Sequence, residues 1–227
     1  MDIKKLFRSI GRDTLMLLVL GGMLIYLSAE DFVVSFKPAV SFQDMLEGTK
    51  VKEGSHVAGD VVYSLGYFAS ETTYTKYKDG SRSGDRKNGN YYLIPTAEGF
   101  VGLKSRQADV AGLDKLSEET YNCIENGTEP ATKVFMEGTV HAMESDVAKY
   151  YRECLQEQGL TDAEVEALGQ PLVIKYVSFN AVRIMFALGI VLLLIMVLLI
   201  RVRYRREMRG SGLAKAEDLP STPPSAQ

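Results

Sequence analysis

The sequence predicts an α+β domain, a small β-sheet or OB-like barrel carrying amphipathic helices, set between two transmembrane helices. Three observations predict it. Two uncharged apolar runs stand towards the ends of the chain, "TLMLLVLGGMLIYLSA" (Thr14–Ala29) and "IMFALGIVLLLIMVLLI" (Ile184–Ile200). Between them, β-rich phrases alternate with stretches of helical spacing. One such phrase, "HVAGDVV" (His56–Val62), is nearly repeated as "FMEGTVH" (Phe135–His141). The reading divides the chain into a basic N-terminus (1–13), a first span (14–29), an outer domain (30–178), a second span (179–201) and a basic, then disordered, tail (202–227).

A helix needs about 17–25 apolar residues to cross a bilayer. The second run meets that, with "YVSFNAV" before it to lengthen the span. The first is short and crosses by borrowing residues 10–13 or by thinning the bilayer locally. An uncleaved anchor is expected. A cleaved secretory signal is the alternative, disfavoured because a cut after Ala29 would put Leu27 where a small residue belongs. Lys4, Lys5, Arg8 and Arg12 precede the first run, and Arg201, Arg203, Arg205, Arg206 and Arg209 follow the second. Basic residues in short flanks stay cytoplasmic, so both termini are expected inside a cell membrane and the middle outside. Residues 30–180 hold 24 acidic and 15 basic side chains, a net charge of −9. Arg183 is expected to snorkel to headgroups at the outer boundary.

Within the middle segment, "SFQDMLEG" suggests a short helix ended by Gly48. "SHVAGDVVYSLGYFAS" reads as a strand pair or one bent strand, broken at Gly59 and Gly66. "KDGSRSGDRKNGN" has a turn residue at nearly every step and reads as a long hairpin tip. "YYLIP" and "FVGLK" return as strands, with Pro95 holding the first to an edge or an end. "LDKLSEETYNCIENG" places Leu113, Leu116, Thr120, Cys123 and Ile124 on one helical face. "KVFMEGTVHAM" is a strand. "SDVAKYYRECLQEQG" sets Val147, Tyr150, Tyr151, Cys154 and Leu155 in an amphipathic stripe, with Ser145 as N-cap and Gly159 as the stop. "TDAE" (Thr161–Glu164) is a capping box, and "QPLVIKYV" is extended. The two glycine phrases are then expected to be two strands of one domain, with Gly59 and Gly138 where a strand bends or another backbone comes close.

The phrases "HVAGDVVYSLGYFA", "YYLIP" with "FVGLK", "FMEGTVHAM" and "YYRECLQEQGLTDAEVEAL", followed by the closing span, resemble an uncharacterised family of Gram-positive two-span membrane proteins. The resemblance covers roughly Val51 to Ile200. It implies the helix–outer domain–helix layout and brings no activity, substrate or site residue.

No catalytic, cofactor or metal site emerges from the residues, and no cofactor is expected. "GSRSG" (Gly80–Gly84) has Arg82 where a nucleophile elbow needs Ser. His56 and His141 both stand in the strand phrases. His56, Asp60 and Glu53 lack metal-ligand spacing. Glu118, Glu119, Glu164 and Glu166 suit helix N-termini. The stretch to watch is the hairpin tip. There Tyr74, Tyr77, Tyr91 and Tyr92 bracket Lys76, Lys78, Arg82, Arg86 and Lys87, a mixture suited to a polyanion or an acidic partner. A solvated hairpin tip is the plainer reading. Cys123 and Cys154 both fall in the outer segment, where a disulfide is permitted; two buried thiols are the other reading.

These residues point to a membrane-anchored outer domain that binds or scaffolds at the cell envelope without catalysing a reaction. Its expected partners are the lipid bilayer and another membrane or envelope protein, not nucleic acid. An accessory subunit of a transporter or sensor, with its spans packing through Gly21–Gly22 and Gly189, is an alternative. So is an envelope hydrolase or transferase.

Overall fold

The computed structural model describes residues 11–217, with side chains through residue 206. Lys4, Lys5, Arg8, the side chain of Arg209 and the "LPSTPPSAQ" tail lie outside the described residues. Six described helices and a seven-stranded sheet make a mixed α+β chain. In order they are α1 (Arg12–Val34), β1 (Ala39–Val40), α2 (Phe42–Leu46), β2 (His56–Val61), β3 (Tyr67–Thr73), β4 (Arg86–Thr96), β5 (Gly99–Lys104), α3 (Val110–Asn126), β6 (Val134–Ala142), α4 (Ser145–Glu157), α5 (Asp162–Ala167), β7 (Leu172–Tyr176) and α6 (Phe179–Glu217). Two compact units result, Asp31–Asn180 and the flanking helices.

In the first unit the strand order is β1-β2-β6-β7-β5-β4-β3. The β1–β2 and β5–β7 pairs are parallel and the rest antiparallel. The two glycine phrases pair directly: Val57 faces Gly138 and Gly59 faces Met136 across β2 and β6. Although β2 and β3 stand far apart in this order, they are halves of one chain path, His56 to Thr73, bent at 62–66. At the bend the Leu65 N–H donates to the Leu93 carbonyl and the Leu93 N–H donates to the Gly66 carbonyl, both at 2.9 Å. The strand order therefore returns to the path on which it began. A sheet that does so must curl, and α2 fits inside the curl: it packs on β2 and β4 alike, and the Ala97 N–H donates to the Met45 carbonyl (3.0 Å).

Strand alternation sends the side chains of β4 to two cores. Tyr92 and Ile94 join Phe42, Met45, Leu113, Leu116 and Met136 on the inner face. Leu93 turns outward to Tyr151, Leu155 and Val165 of α4 and α5. Helix α3 thus serves the inner core and α4 the outer one. A buried polar knot holds the bend against α3. The Ser117 hydroxyl donates to the Leu113 carbonyl (2.8 Å), so the Ser64 hydroxyl donates to Ser117 Oγ (2.8 Å). The Ser64 N–H meets Thr120 Oγ1 (3.2 Å), whose own proton goes to the Leu116 carbonyl. Each buried donor has an acceptor, as the cost of an unmade buried hydrogen bond demands.

Local signals were legible in part. Ser41 with Asp44 and Thr161 with Glu164 form capping boxes, and Gly127 ends α3 in the left-handed conformation (φ 73°). Pro95 lies at the hairpin end of β4, opposite Phe100. Four expectations need correction. Strand β4 begins at Arg86 rather than Tyr91, because Gly89 lets the Ser105 carbonyl approach where a Cβ would sit 2.0 Å away. Ser145 is the first residue of α4, and Glu144 occupies the cap, its side chain paired with Lys175 rather than with the helix N-terminus. Ile124 is 68% exposed, since the buried face of α3 ends at Thr120. Tyr150 is 52% exposed, since the buried face of α4 is made by Ala148, Tyr151 and Leu155.

The flanking helices are both long and apolar enough to cross a membrane: an 18-residue stretch within Arg12–Val34 has mean hydropathy 1.8, and one within Phe179–Arg206 has 2.9. Between Arg12 and Glu30 of α1 the buried positions are Thr14, Gly21 and Ser28, spaced by sevens, a repeat that keeps one seam facing a partner helix. That partner is α6. A Cβ on Gly21 would lie 3.0 Å from the Gly189 carbonyl, and one on Gly189 would lie 2.7 Å from Ile25. Gly22 has nothing within 4 Å, so only the first of the paired glycines is used. Thr14 and Ser28 donate to their own helix at the Gly11 and Leu24 carbonyls (2.6 Å each). Arg203 grips Asp13 with both guanidinium ends, at 3.1 and 2.5 Å.

Gly138 offers the sharpest test of the sheet. A Cβ there would stand 2.1 Å from the Lys175 carbonyl oxygen, and a strand backbone cannot step aside as a flexible side chain can. Gly138→Ala is expected to destabilise the domain by about 3 kcal/mol. Gly84→Ala, with nothing within 4 Å of its Cβ, is expected to stay within about 0.5 kcal/mol. Thermal unfolding of the detergent-purified chain, followed by circular dichroism, measures both.

Candidate functional site

The β3–β4 hairpin carries Tyr74, Lys76, Tyr77, Lys78, Arg82, Arg86 and Lys87, seven of the nine basic and aromatic residues that the sequence marks for contact, at or next to its tip. Its last ladder pair is Thr73 with Arg86, and Thr72 faces Lys87. Twelve residues, 74–85, lie beyond. A local ladder stiffens them: Lys76 bridges Arg82, and backbone bonds run from Tyr77 N to the Ser81 carbonyl and from Ser83 N to the Thr75 carbonyl (2.9 Å each). The Arg82 guanidinium stands 5.1 Å from the Tyr74 ring centre, within cation–π range. Tyr74 and Tyr77 are each 53% exposed.

Charge on this hairpin is partitioned. The Asp79 carboxylate turns back to accept from the Ser81 hydroxyl (2.7 Å) and N–H (3.0 Å), and these bonds hold its carboxyl below the usual range. Among the described residues none of Lys76, Lys78, Arg82, Arg86 or Lys87 forms an ion pair. Residues 74–87 carry five basic and two acidic side chains, net +3, whereas the rest of 30–180 carries ten and 22, net −12. A basic finger projects from an acidic body.

Tyr91 and Tyr92 do not belong to the tip. They are 5% and 0% exposed, because strand alternation carries them into the sheet. The Tyr92 hydroxyl donates to Asp114 Oδ1 at 2.5 Å, and burial, then that carboxylate, pushes the phenol far up. No local signal announces this pairing across 22 residues. Nor did it show that Arg106, fixed by Asp109, stands 4.0 Å over the Tyr176 ring and donates to its hydroxyl at 3.0 Å. A signal for the polar knot was present: Ser117 and Thr120 interrupt the apolar face of α3.

The histidines are not brought to a shared cavity. His56 Nδ1 lies 3.0 Å from the Lys37 carbonyl and its ring packs edge-on to Phe179 at 4.3 Å. Among the described residues no cluster of three His, Cys, Asp or Glu could hold a metal ion. Two concavities of the domain lack histidine altogether. One, of about 180 Å³, lies between Met45, Val101, Tyr151, Val165 and Leu168, beside the Lys50–Glu98 pair. The other is an open cleft of about 660 Å³ lined by Glu47, Asp60, Tyr63, Glu129 and Lys133.

Cys123 and Cys154 are free, half-buried thiols. They belong to α3 and α4, which serve opposite faces of the sheet, so no disulfide joins them. Burial raises the Cys154 thiol above its ordinary range. Two thiols per chain are expected in a thiol titration of the protein denatured without reductant. A count of zero would contradict the placement of α3 and α4.

Neither a curated protein nor a solved structure matches this chain. A family model does, and the chain belongs to the family described as Domain of unknown function (DUF8577), matched over residues 3–203.

Proposed function

We propose that this is a two-span membrane protein whose middle domain is an OB-like barrel displayed outside the cell membrane, where it binds or scaffolds without catalysing a reaction. The barrel reading is supported by the pairing pattern. If β2 and β3 count as one bent strand and the two-residue edge strand β1 is set aside, five strands remain. The bent strand meets β4 and β6, β4 meets β5, β5 runs parallel to β7, and β7 meets β6. Helix α3 falls between the third and fourth of these strands. Such barrels bind ligands on the face of their second and third strands and on the loops beside it. Here the outward face of β4 carries Leu93, which packs with Tyr151, Leu155 and Val165. The face is covered by the domain's own helices.

What is left exposed is the loop after the bent strand, the basic tip at 74–87. This single observation carries the binding reading: cations without ion-pair partners, held by a local ladder, on an acidic domain. The outer placement is supported by two apolar helices with arginines after the second and by the acidic middle segment. Single cysteines introduced at Asp85 and Lys215, with Cys123 and Cys154 replaced by serine, test it. An impermeant maleimide is expected to label position 85 and spare position 215 in unbroken cells. The reverse pattern would sink the outer placement. A partner captured through a photo-crosslinker at Tyr77 would support the binding role, and capture of none would count against it.

A further inference from the structure

We infer that the β3–β4 hairpin docks onto the anionic lipid headgroups of the bilayer in which the flanking helices are anchored. The inference rests on the two-span reading above and adds the surface that the basic tip meets. Charge alone would suit any polyanion. Strand direction is what favours lipid.

Strand β7 runs from Leu172 to Tyr176, and the chain enters α6 at Phe179. Strand β5 is parallel to β7, with Lys104 beside Lys175. Strand β4 is antiparallel to β5, with Tyr91 opposite Lys104. The start of β4 therefore lies at the sheet end where β7 finishes and the chain leaves for the second apolar helix. The entry point is tied near the same level: the Thr139 hydroxyl donates to Asp31 at 3.1 Å, and Thr139 is the neighbour of Lys175. From Tyr91 back to Arg86, β4 runs five residues beyond its pairing with β5, roughly 17 Å of strand. The 12-residue tip extends farther still. The hairpin thus leaves the domain in the direction in which both chain connections leave it.

Its chemistry fits that destination. Lysine and arginine near an anionic leaflet are attracted to it, and tyrosine favours the headgroup level, where its ring is half-buried and its hydroxyl is wet. With Asp79 turned back on Ser81, the cations lead. The body, at net −12 over the remainder of 30–180, is repelled by the same surface. The domain is therefore oriented as well as attracted, finger toward lipid and body away.

The chain contains no tryptophan, so Tyr77→Trp places a single fluorophore on the tip. The full-length variant is placed, one chain per disc, in lipid nanodiscs of phosphatidylcholine, with or without phosphatidylglycerol. In the anionic discs a blue-shifted emission and reduced quenching by acrylamide are expected, both fading at about 1 M salt, where the Debye length is about 3 Å. Adding Lys76→Glu and Lys78→Glu is expected to weaken the response to phosphatidylglycerol about fivefold for each cation lost, with the melting temperature unchanged. Identical emission and quenching in both kinds of disc would overturn the inference. So would a response to soluble polyphosphate in neutral discs with none to phosphatidylglycerol, which would make a free polyanion the ligand. Discs offer headgroups on both leaflets, so this result stands or falls apart from the maleimide test of sidedness.

Discussion

The structure depends on one bend. Between Val61 and Tyr67 the chain turns so that a single path lies along β6 with its first half and along β4 with its second. Without it the sheet would be an open ribbon with two free edges, and the residues around Phe42 and Met45 would have no interior to fill. The bend is held from both sides. Leu65 and Gly66 exchange backbone bonds with Leu93, and Ser64, wholly buried, is tied to Ser117 and Thr120 of α3. The polar ties matter because the bend interrupts the ladder. A turn inside a core strands its own amides unless side chains supply partners, and two hydroxyls on an otherwise apolar helix face do so.

That constraint accounts for the glycines that puzzled the sequence reading. In a tightly curled sheet, neighbouring strands approach more closely at some points than a side chain allows. Gly138 under the Lys175 carbonyl and Gly89 under that of Ser105 are two such points. The repeated phrase is therefore not a duplicated unit with a shared function. Gly59 and Gly138 stand two positions apart in one antiparallel pair, each answering a local demand of the same curvature.

The legible parts of the fold were those written in short-range grammar. Capping boxes at Ser41 and Thr161, the left-handed stop at Gly127 and the strand phrases all report on neighbours within a few residues. Long-range partners were not legible. Nothing near Tyr92 announces Asp114, and nothing near Arg106 announces Tyr176, because each contact is made only once the sheet has curled. The same limit explains why Tyr91 and Tyr92 were grouped with the tip. Their composition matches Tyr74 and Tyr77, and only the earlier start of β4 shows that the strand has already carried them inside. The cysteines show the same limit: a disulfide and two buried thiols are both open from the sequence, because both residues sit on amphipathic helices, and which face of the sheet each helix covers is a property of topology.

The basic and aromatic residues of the tip stand together in one hairpin, and their grouping is legible in the sequence for a physical reason. A hairpin loop has little to pack against, so its composition is free to reflect what it meets rather than what holds it in place. Its backbone ladder between Lys76 and Arg82 and the Arg82–Tyr74 stack cost conformational freedom that a passive loop has no need to give up. Order in an exposed loop with five cations against two carboxylates, neither of them ion-paired to a tip cation, opposes the mutual repulsion of those cations. An opposing surface of negative charge would relieve that repulsion, and the acidic remainder of the domain does not supply it, since none of its carboxylates pairs with the tip. The end of the sheet from which the finger extends is the end from which the chain departs for its two apolar helices.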